Sequence, residues 1–359
     1  MKTISTVSRL REFLPLSEEE AQAVREVGTR YPWRVTAYYA SLIDAADPDC
    51  PIRRQCIPDI RELDGSYGSP DPLDEEENSP VPGVIQVYPD RLAVTVTNRC
   101  PMYCRFCLRK RFRRDESGDL CGSRLASVLR YIRGNSAIRD VLLTGGDPLM
   151  FADDEIDRIL GELRSIGHVE IIRIGTRSPC TWPERITESF ASMAASHHPV
   201  WVNTQFNHPR EVTDEAAGAV DRLLRAGIPV GNQSVLLGGV NDSRETMLEL
   251  VRKLVRIRVR PYYLYQAQAL AGTGHFVVPI ERGIEIVQGL RGWTTGFAVP
   301  QYVLDTPFGK VPLNPDYLRG RTGDFVEIIT YSGERWREYN PLVFHPERAR
   351  PTVAGGSQT

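Results

Sequence analysis

The chain has 359 residues, 41% hydrophobic and 25% charged, with 44 Lys and Arg against 46 Asp and Glu for a formal net charge of −2. This composition is that of a soluble globular protein, excludes a chain too charged to fold, and gives the whole molecule no electrostatic grip on nucleic acid. No apolar run approaches the ~18 residues of a membrane span, Met1-Lys-Thr-Ile-Ser-Thr-Val lacks a leader's apolar stretch, and seven cysteines, three of them clustered, point to a reducing cytoplasm rather than a disulfide framework.

Residues 1–85 read as an N-terminal region of their own. Ser17 followed by Glu18, Glu19 and Glu20 predicts a capped helix start, and a second helix is expected over 33–43. Residues 65–83, rich in Pro, Gly and acid, read as an irregular linker whose acidic run is solvated. From residue 91 a rhythm sets in. Short apolar runs near 92–97, 141–144, 169–175, 200–206, 229–236 and 262–265 alternate with helical patterns near 124–133, 154–166, 184–195, 214–226, 244–257 and 280–290. Such strand–helix units predict a parallel sheet, because parallel strands need helical crossovers. Gly167 and Gly227 sit where helix C-terminal caps belong. An extended run follows at 297–305, then a turn at 307–310, and a hairpin with Ser332-Gly333 at its turn; the chain beyond 347 is expected to be disordered. Periodicity alone describes a doubly wound sheet as well as a barrel.

Cys100, Cys104 and Cys107 have C-x3-C-x2-C spacing and fall just after the first strand of that rhythm, where parallel α/β folds carry their sites. Three thiolates can hold three irons of a [4Fe–4S] cluster and leave the fourth open. A zinc site needs four ligands, and the chain downstream offers no second Cys/His pair. Three buried structural cysteines are the bland alternative. Cys50, Cys56, Cys121 and Cys180 read as structural. The basic run 105–114 interleaves with the cysteines; its bland reading is a surface patch for nucleic acid, its functional one a holder of anionic cofactor and substrate groups.

The cysteine spacing, with Phe106 directly before the third cysteine, resembles the radical S-adenosylmethionine (SAM) enzymes. Further stretches are similar to the lysine 2,3-aminomutase family: Tyr88-Pro-Asp-Arg91, Leu143-Thr-Gly-Gly-Asp-Pro148, Arg173-Ile-Gly-Thr-Arg177, Phe206-Asn-His-Pro209, Gln233-Ser-Val-Leu-Leu237 and Tyr262-Tyr-Leu-Tyr-Gln266. The resemblance implies an α/β fold, a partial (β/α)6 radical SAM barrel over 86–310, followed by a C-terminal extension over 311–359. It implies a [4Fe–4S] cluster on Cys100, Cys104 and Cys107, SAM met by Gly145, Gly146, Asp147 and Gln233, and pyridoxal 5′-phosphate (PLP) attached to Lys310 with its phosphate on Arg91. Arg109 would take the substrate carboxylate, and Gln268 and Asp305 its distal group.

The sequence departs from the family pattern at four places. Gln268 replaces one of two aspartates, the loop before Lys310 is short, Gln205 stands for a histidine, and the C-terminal cysteines of a structural zinc site are missing. The implied reaction is 1,2-amino migration converting an L-α-amino acid, lysine first, to its β-isomer, with flavodoxin or ferredoxin as reductant and no nucleic-acid or membrane partner; a homo-oligomer stays open. The alternatives are PLP-independent radical SAM chemistry on a small molecule, an RNA-modifying protein using the basic run, and a non-enzymatic cluster carrier.

Overall fold

The structure, a computed structural model, describes residues 1–111, 118–330 and 332–340. The end of the basic run at 112–114 and the tail beyond 347 lie outside the described residues. The chain forms two compact units, Met1–Asn314 and Pro315–Thr359.

In the first unit, helix α1 (Glu18–Arg30) begins with a capping box: the Ser17 hydroxyl accepts from the Glu20 N–H, and the Glu20 carboxylate accepts from the Ser17 N–H. The helix expected over 33–43 shrinks to Ala37–Ala40. Val35 and Thr36 pair instead as a short antiparallel strand with Thr3 and Ile4, and Thr36 caps the helical turn. β-Branched residues favour that extended start. Residues of this N-terminal region share the barrel's hydrophobic core, so 1–85 is part of the same compact unit.

The barrel opens with a hairpin, β1 (Val84–Tyr88) and β2 (Arg91–Thr97). Strands β3 (Asp140–Gly145), β4 (Ile171–Gly175), β5 (Val200–Thr204), β6 (Val230–Leu236), β7 (Arg260–Gln266) and β8 (Gln301–Thr306) follow, each parallel to the one before it from β2 on. Strand β9 (Gly309–Pro312) returns antiparallel to β8, and the order across the sheet is the order in sequence. The crossovers carry helices α2 (Gly122–Arg133), α3 (Asp153–Arg164), α4 (Glu188–Ala195), α5 (Asp214–Arg225), α6 (Arg244–Arg256) and α7 (Ile280–Leu290). β1 and β9 are the two sheet edges. They approach at one point, where the Lys310 N–H donates to the Tyr88 hydroxyl at 2.8 Å.

Within the barrel, one helix start and one expected glycine cap also differ from expectation. α4 starts at Glu188 rather than 184, because Thr187 caps it after turns that contain Pro179 and Pro183. Gly227 takes the left-handed conformation of a helix cap, φ +77°, whereas Gly167 does not.

Strand alternation assigns two faces. On β2, Leu92, Val94 and Val96 are buried in the core, as are Val141 and Leu143 on β3, Ile172 and Ile174 on β4, and Val200 and Val202 on β5. The alternate residues Arg91, Ala93, Asp140, Leu142, Arg173, Asn203 and Gln233 face a lumen that stays open rather than being filled.

The second unit contains a three-stranded antiparallel sheet of β10 (Leu318–Thr322), β11 (Phe325–Ile329) and β12 (Arg335–Tyr339). The hairpin expected at Ser332-Gly333 is the β11–β12 connection, with Gly333 at φ +88°. Among the described residues no helix is long and apolar enough to cross a membrane.

Candidate active site

The C-terminal ends of β2 to β6 surround a cavity of about 260 Å³ lined by Cys100, Cys104, Cys107, Gly145, Gly146, Asp147, Gln205 and Gln233. The cysteines share this cavity. Yet among the described residues no three His, Cys, Asp or Glu side chains converge as ligands of a single ion would. The three thiols on one loop beside the cavity are the donor set that a [4Fe–4S] cluster takes, one to each of three irons.

Gly145 and Gly146 form a tight crossing. A Cβ on Gly146 would lie 2.1 Å from the Arg99 carbonyl oxygen, and Gly145 has φ +118°. The Asp147 carboxylate turns into the fold. It accepts from the Thr176 hydroxyl (2.7 Å), the Leu149 N–H (3.0 Å), the Arg177 N–H and the Ser178 hydroxyl (both 3.1 Å). Burial raises its pKa above the usual carboxylate range, against those hydrogen bonds. Asp147 therefore anchors the turn, and the glycine backbone forms the cavity wall beside it.

A second cavity, of about 1000 Å³, runs through the lumen. Lys310, Asp305, Arg91, Tyr88, Arg173, Tyr263 and Tyr265 line it. The β8–β9 turn presents Lys310 there. Gly309 closes that turn at φ +115°, where a Cβ would meet the Tyr88 hydroxyl at 2.9 Å. The Lys310 ammonium lies 3.3 Å from both Asp305 carboxylate oxygens. Arg91 stacks on the Tyr88 ring, 3.7 Å from its centroid, and donates to Asp90 at 2.9 Å. Burial, followed by the Asp305 charge, raises the Tyr265 pKa well above the ordinary phenol value, so its hydroxyl stays protonated. Asn203, Gln233 and Tyr265 line both cavities. The Asn203 Nδ2 is buried with no hydrogen-bond partner, an orphan donor at the junction.

The basic run is not an exposed patch. Arg105 and Lys110 are buried around Glu62, a carboxylate with 0% side-chain exposure. Arg105 donates to it through Nε (2.9 Å) and Nη2 (2.5 Å), and Lys110 through Nζ (2.5 Å). Burial alone would raise the Glu62 pKa, but the two cations hold it below the usual range; burial pushes the Lys110 ammonium down to about 8. Arg109 grips Glu75 with Nη2 (2.7 Å) and Nε (3.1 Å) and donates to the Gly145 carbonyl (3.2 Å), while Arg111 pairs with Asp71 (3.1 Å) and Glu75 (3.2 Å). The acidic linker is therefore not simply solvated: it straps over the cysteine loop, with Glu75 buried. That leaves the described part of the run no free basic face for RNA.

The structure brings Cys100, Cys104, Cys107, Gly145, Gly146, Asp147 and Gln233 to one cavity and Lys310, Arg91 and Asp305 to the other. Arg109 and Gln268 stand outside both linings. The Gln268 amide donates to the Asp305 backbone carbonyl at 2.9 Å, steadying the end of β8. Sequence reasoning missed Tyr88, Asn203, Tyr265, Glu62 and Glu75. The inward positions of the strand alternation could have flagged Asn203, and Tyr265 already stood in the Tyr262–Gln266 stretch that resembles the family.

The radical SAM superfamily pattern matches residues 94–251, and a lysine-2,3-aminomutase pattern matches 287–340. The chain is 44% identical to the L-lysine 2,3-aminomutase of Clostridium subterminale over 346 residues, 96% of this chain and 83% of that one. It is 42% identical to the glutamate 2,3-aminomutase of Clostridioides difficile over 333 residues, 92% of this chain and 79% of that one. Among solved structures, Streptococcus suis SuiB bound to S-adenosylmethionine aligns with TM-score 0.48 and 14% identity, over 61% of this chain and 51% of that one.

Proposed function

The chain belongs to the lysine 2,3-aminomutase family of radical SAM enzymes and is an amino acid 2,3-aminomutase using SAM and a [4Fe–4S] cluster, and from that premise we propose that it works with PLP on a cationic α-amino acid, lysine first. One observation carries the proposal: Lys310, Asp305 and Arg91 line a single cavity that meets the cysteine cavity at Asn203, Gln233 and Tyr265. The residues fit PLP. Lys310 offers an amine for attachment, Arg91 a guanidinium for the phosphate, and Tyr88 a ring beside one and a hydroxyl bonded to the other.

When bound, the cluster and SAM would supply the radical that removes a β-hydrogen, and PLP would supply a conjugated system that takes up the unpaired electron during amino migration. The chain's own task is placement. Cys100, Cys104 and Cys107 would hold the cluster, the Gly145-Gly146 backbone and Gln233 would flank SAM, and Asn203 and Tyr265, which line both cavities, would stand between SAM and substrate. Asp305 balances the Lys310 ammonium and is the carboxylate that would be available to the substrate's distal cation. Arg109, the residue the family resemblance assigns to the substrate carboxylate, is bound to Glu75 and the Gly145 carbonyl and lines neither cavity, so that role would require it to leave Glu75. Orientation of this kind can supply roughly 7–11 kcal/mol of a barrier.

Asp305 also argues against glutamate, whose side-chain carboxylate would face a like charge. None of the seven cysteines, all among the described residues, is joined in a disulfide, which supports a cytoplasmic setting, with flavodoxin or ferredoxin as electron donor.

The test is borohydride reduction of the anaerobically reconstituted enzyme with PLP, followed by peptide mass spectrometry, and turnover of lysine, arginine and glutamate with SAM and dithionite. An adduct on Lys310 and a β-isomer of a cationic amino acid are expected. No adduct there, from enzyme that still cleaves SAM, would sink the PLP assignment; turnover of glutamate alone would sink the substrate assignment.

A further inference from the structure

Arg177, at the end of β4, is buried, and its Nη1 lies 3.0 Å from the Cys104 Sγ. Its other N–H groups are held in place. Nε donates to the Gln205 carbonyl (3.1 Å), and Nη2 to the Gln55 side chain and the Glu211 carboxylate, both at 2.7 Å, and more weakly to the Tyr39 hydroxyl (3.4 Å). The guanidinium also lies 5.3 Å from the Phe106 ring centroid. Glu211 has 0% side-chain exposure and is itself tied down by the Tyr39 hydroxyl and the His208 N–H (2.9 Å). A cation so fixed, with one N–H aimed at a sulfur, is more than a filler of the core.

We propose that Arg177 tunes the reduction potential of the cluster, holding a positive N–H donor on the Cys104 sulfur at an angle fixed by Glu211 and by Gln55 and Tyr39 of the N-terminal region. Reduction adds one electron, from a low-potential one-electron donor, to the cluster and its thiolates, and no proton or leaving group moves. A cation and a hydrogen bond at a ligand sulfur stabilise the more negative, reduced state and raise the potential, and the buried setting strengthens both effects. Glu211 opposes them by neutralising part of the Arg177 charge. Through this residue the N-terminal region acts on the redox centre as well as packing beside it. The inference rests on Cys104 being a cluster ligand.

The experiment uses the full chain, anaerobically reconstituted without SAM. Iron and sulfide are counted per chain, and the midpoint is read from electron paramagnetic resonance signals during a reductive titration. Glu211→Gln keeps the shape and removes the opposing charge, so its midpoint should rise. Arg177→Met combined with Glu211→Gln removes both charges and the donor, so its midpoint should fall. At the wild-type midpoint the double variant's reduced-to-oxidised ratio should drop about tenfold, equal to about 59 mV for one electron. If that variant does not load, Arg177→Lys, which keeps the charge but loses the fork, should also read below wild type.

A merely structural Arg177 would alter loading or stability and leave the midpoints of the loaded proteins unchanged. Unchanged midpoints, or an E211Q midpoint at or below wild type, would overturn the proposal. Failure of the wild-type chain to bind iron would instead overturn the cluster assignment on which it rests.

Discussion

Glu62→Gln is expected to be among the most damaging single changes outside the cavities. The neutral amide would leave Arg105 and Lys110, 2% and 5% exposed in their side chains, buried without the carboxylate that now serves both. At an effective dielectric of about 20, each pair with charge centres about 4 Å apart is worth about 4 kcal/mol before desolvation. Desolvation of three charged groups offsets much of that, so the expected loss is roughly the 3–5 kcal/mol typical of removing one partner from a buried pair. That is a large share of a folding free energy of about 5–15 kcal/mol. The assay is urea denaturation followed by circular dichroism, with iron content measured alongside, because Arg105 lies between Cys104 and Cys107. Combining E62Q with Lys110→Met removes one stranded cation and should restore at least about 1 kcal/mol by the same reasoning. A loss under about 1 kcal/mol for E62Q with full iron content, or no recovery in the double variant, would refute the claim that Glu62 clamps the cysteine loop.

Two further outcomes follow from the geometry. Burial pushes the His275 imidazole down to about 4, although Asp59 and Glu62 favour its charged form. A depressed folded pKa favours the neutral ring. Its stabilising contribution is therefore full above the unfolded value of 6.5 and is lost as pH falls toward 4, up to about 3 kcal/mol at about 1.4 kcal/mol per pH unit. Comparing urea midpoints at pH 7 and pH 4.5 should show a smaller difference for His275→Gln; an equal difference would exclude His275 as the source. Asp305→Asn should raise KM for lysine about 10- to 100-fold, the ~1.5–3 kcal/mol of a charged hydrogen bond. Steady-state kinetics with an unchanged KM would remove Asp305 from substrate recognition.

Much of the architecture was legible because its signals are local. Ser17 and Glu20 lie one helical turn apart, the barrel strands alternate with a period of two, and C-x3-C-x2-C puts three thiols on one loop. The errors were also local. Val35 and Thr36 gained strand partners at Thr3 and Ile4, which a window over 33–43 does not contain. The acidic stretch 71–77 has the composition of a solvated loop, and only the fold sets Asp71 and Glu75 against Arg109 and Arg111.

The sequence alone determined the strand–helix order, the cysteine loop at a strand's C-terminal end, and the residue types at Arg91, Lys310 and Asp305. The tertiary structure decided where each charge is spent. Glu62 reaches Arg105 across 43 positions, and Arg177 reaches Gln55 across 122 and Cys104 across 73. Pairings at such separations are set by how the barrel closes and by the cost of leaving a buried charge alone, and neither can be read from a spacing along the chain.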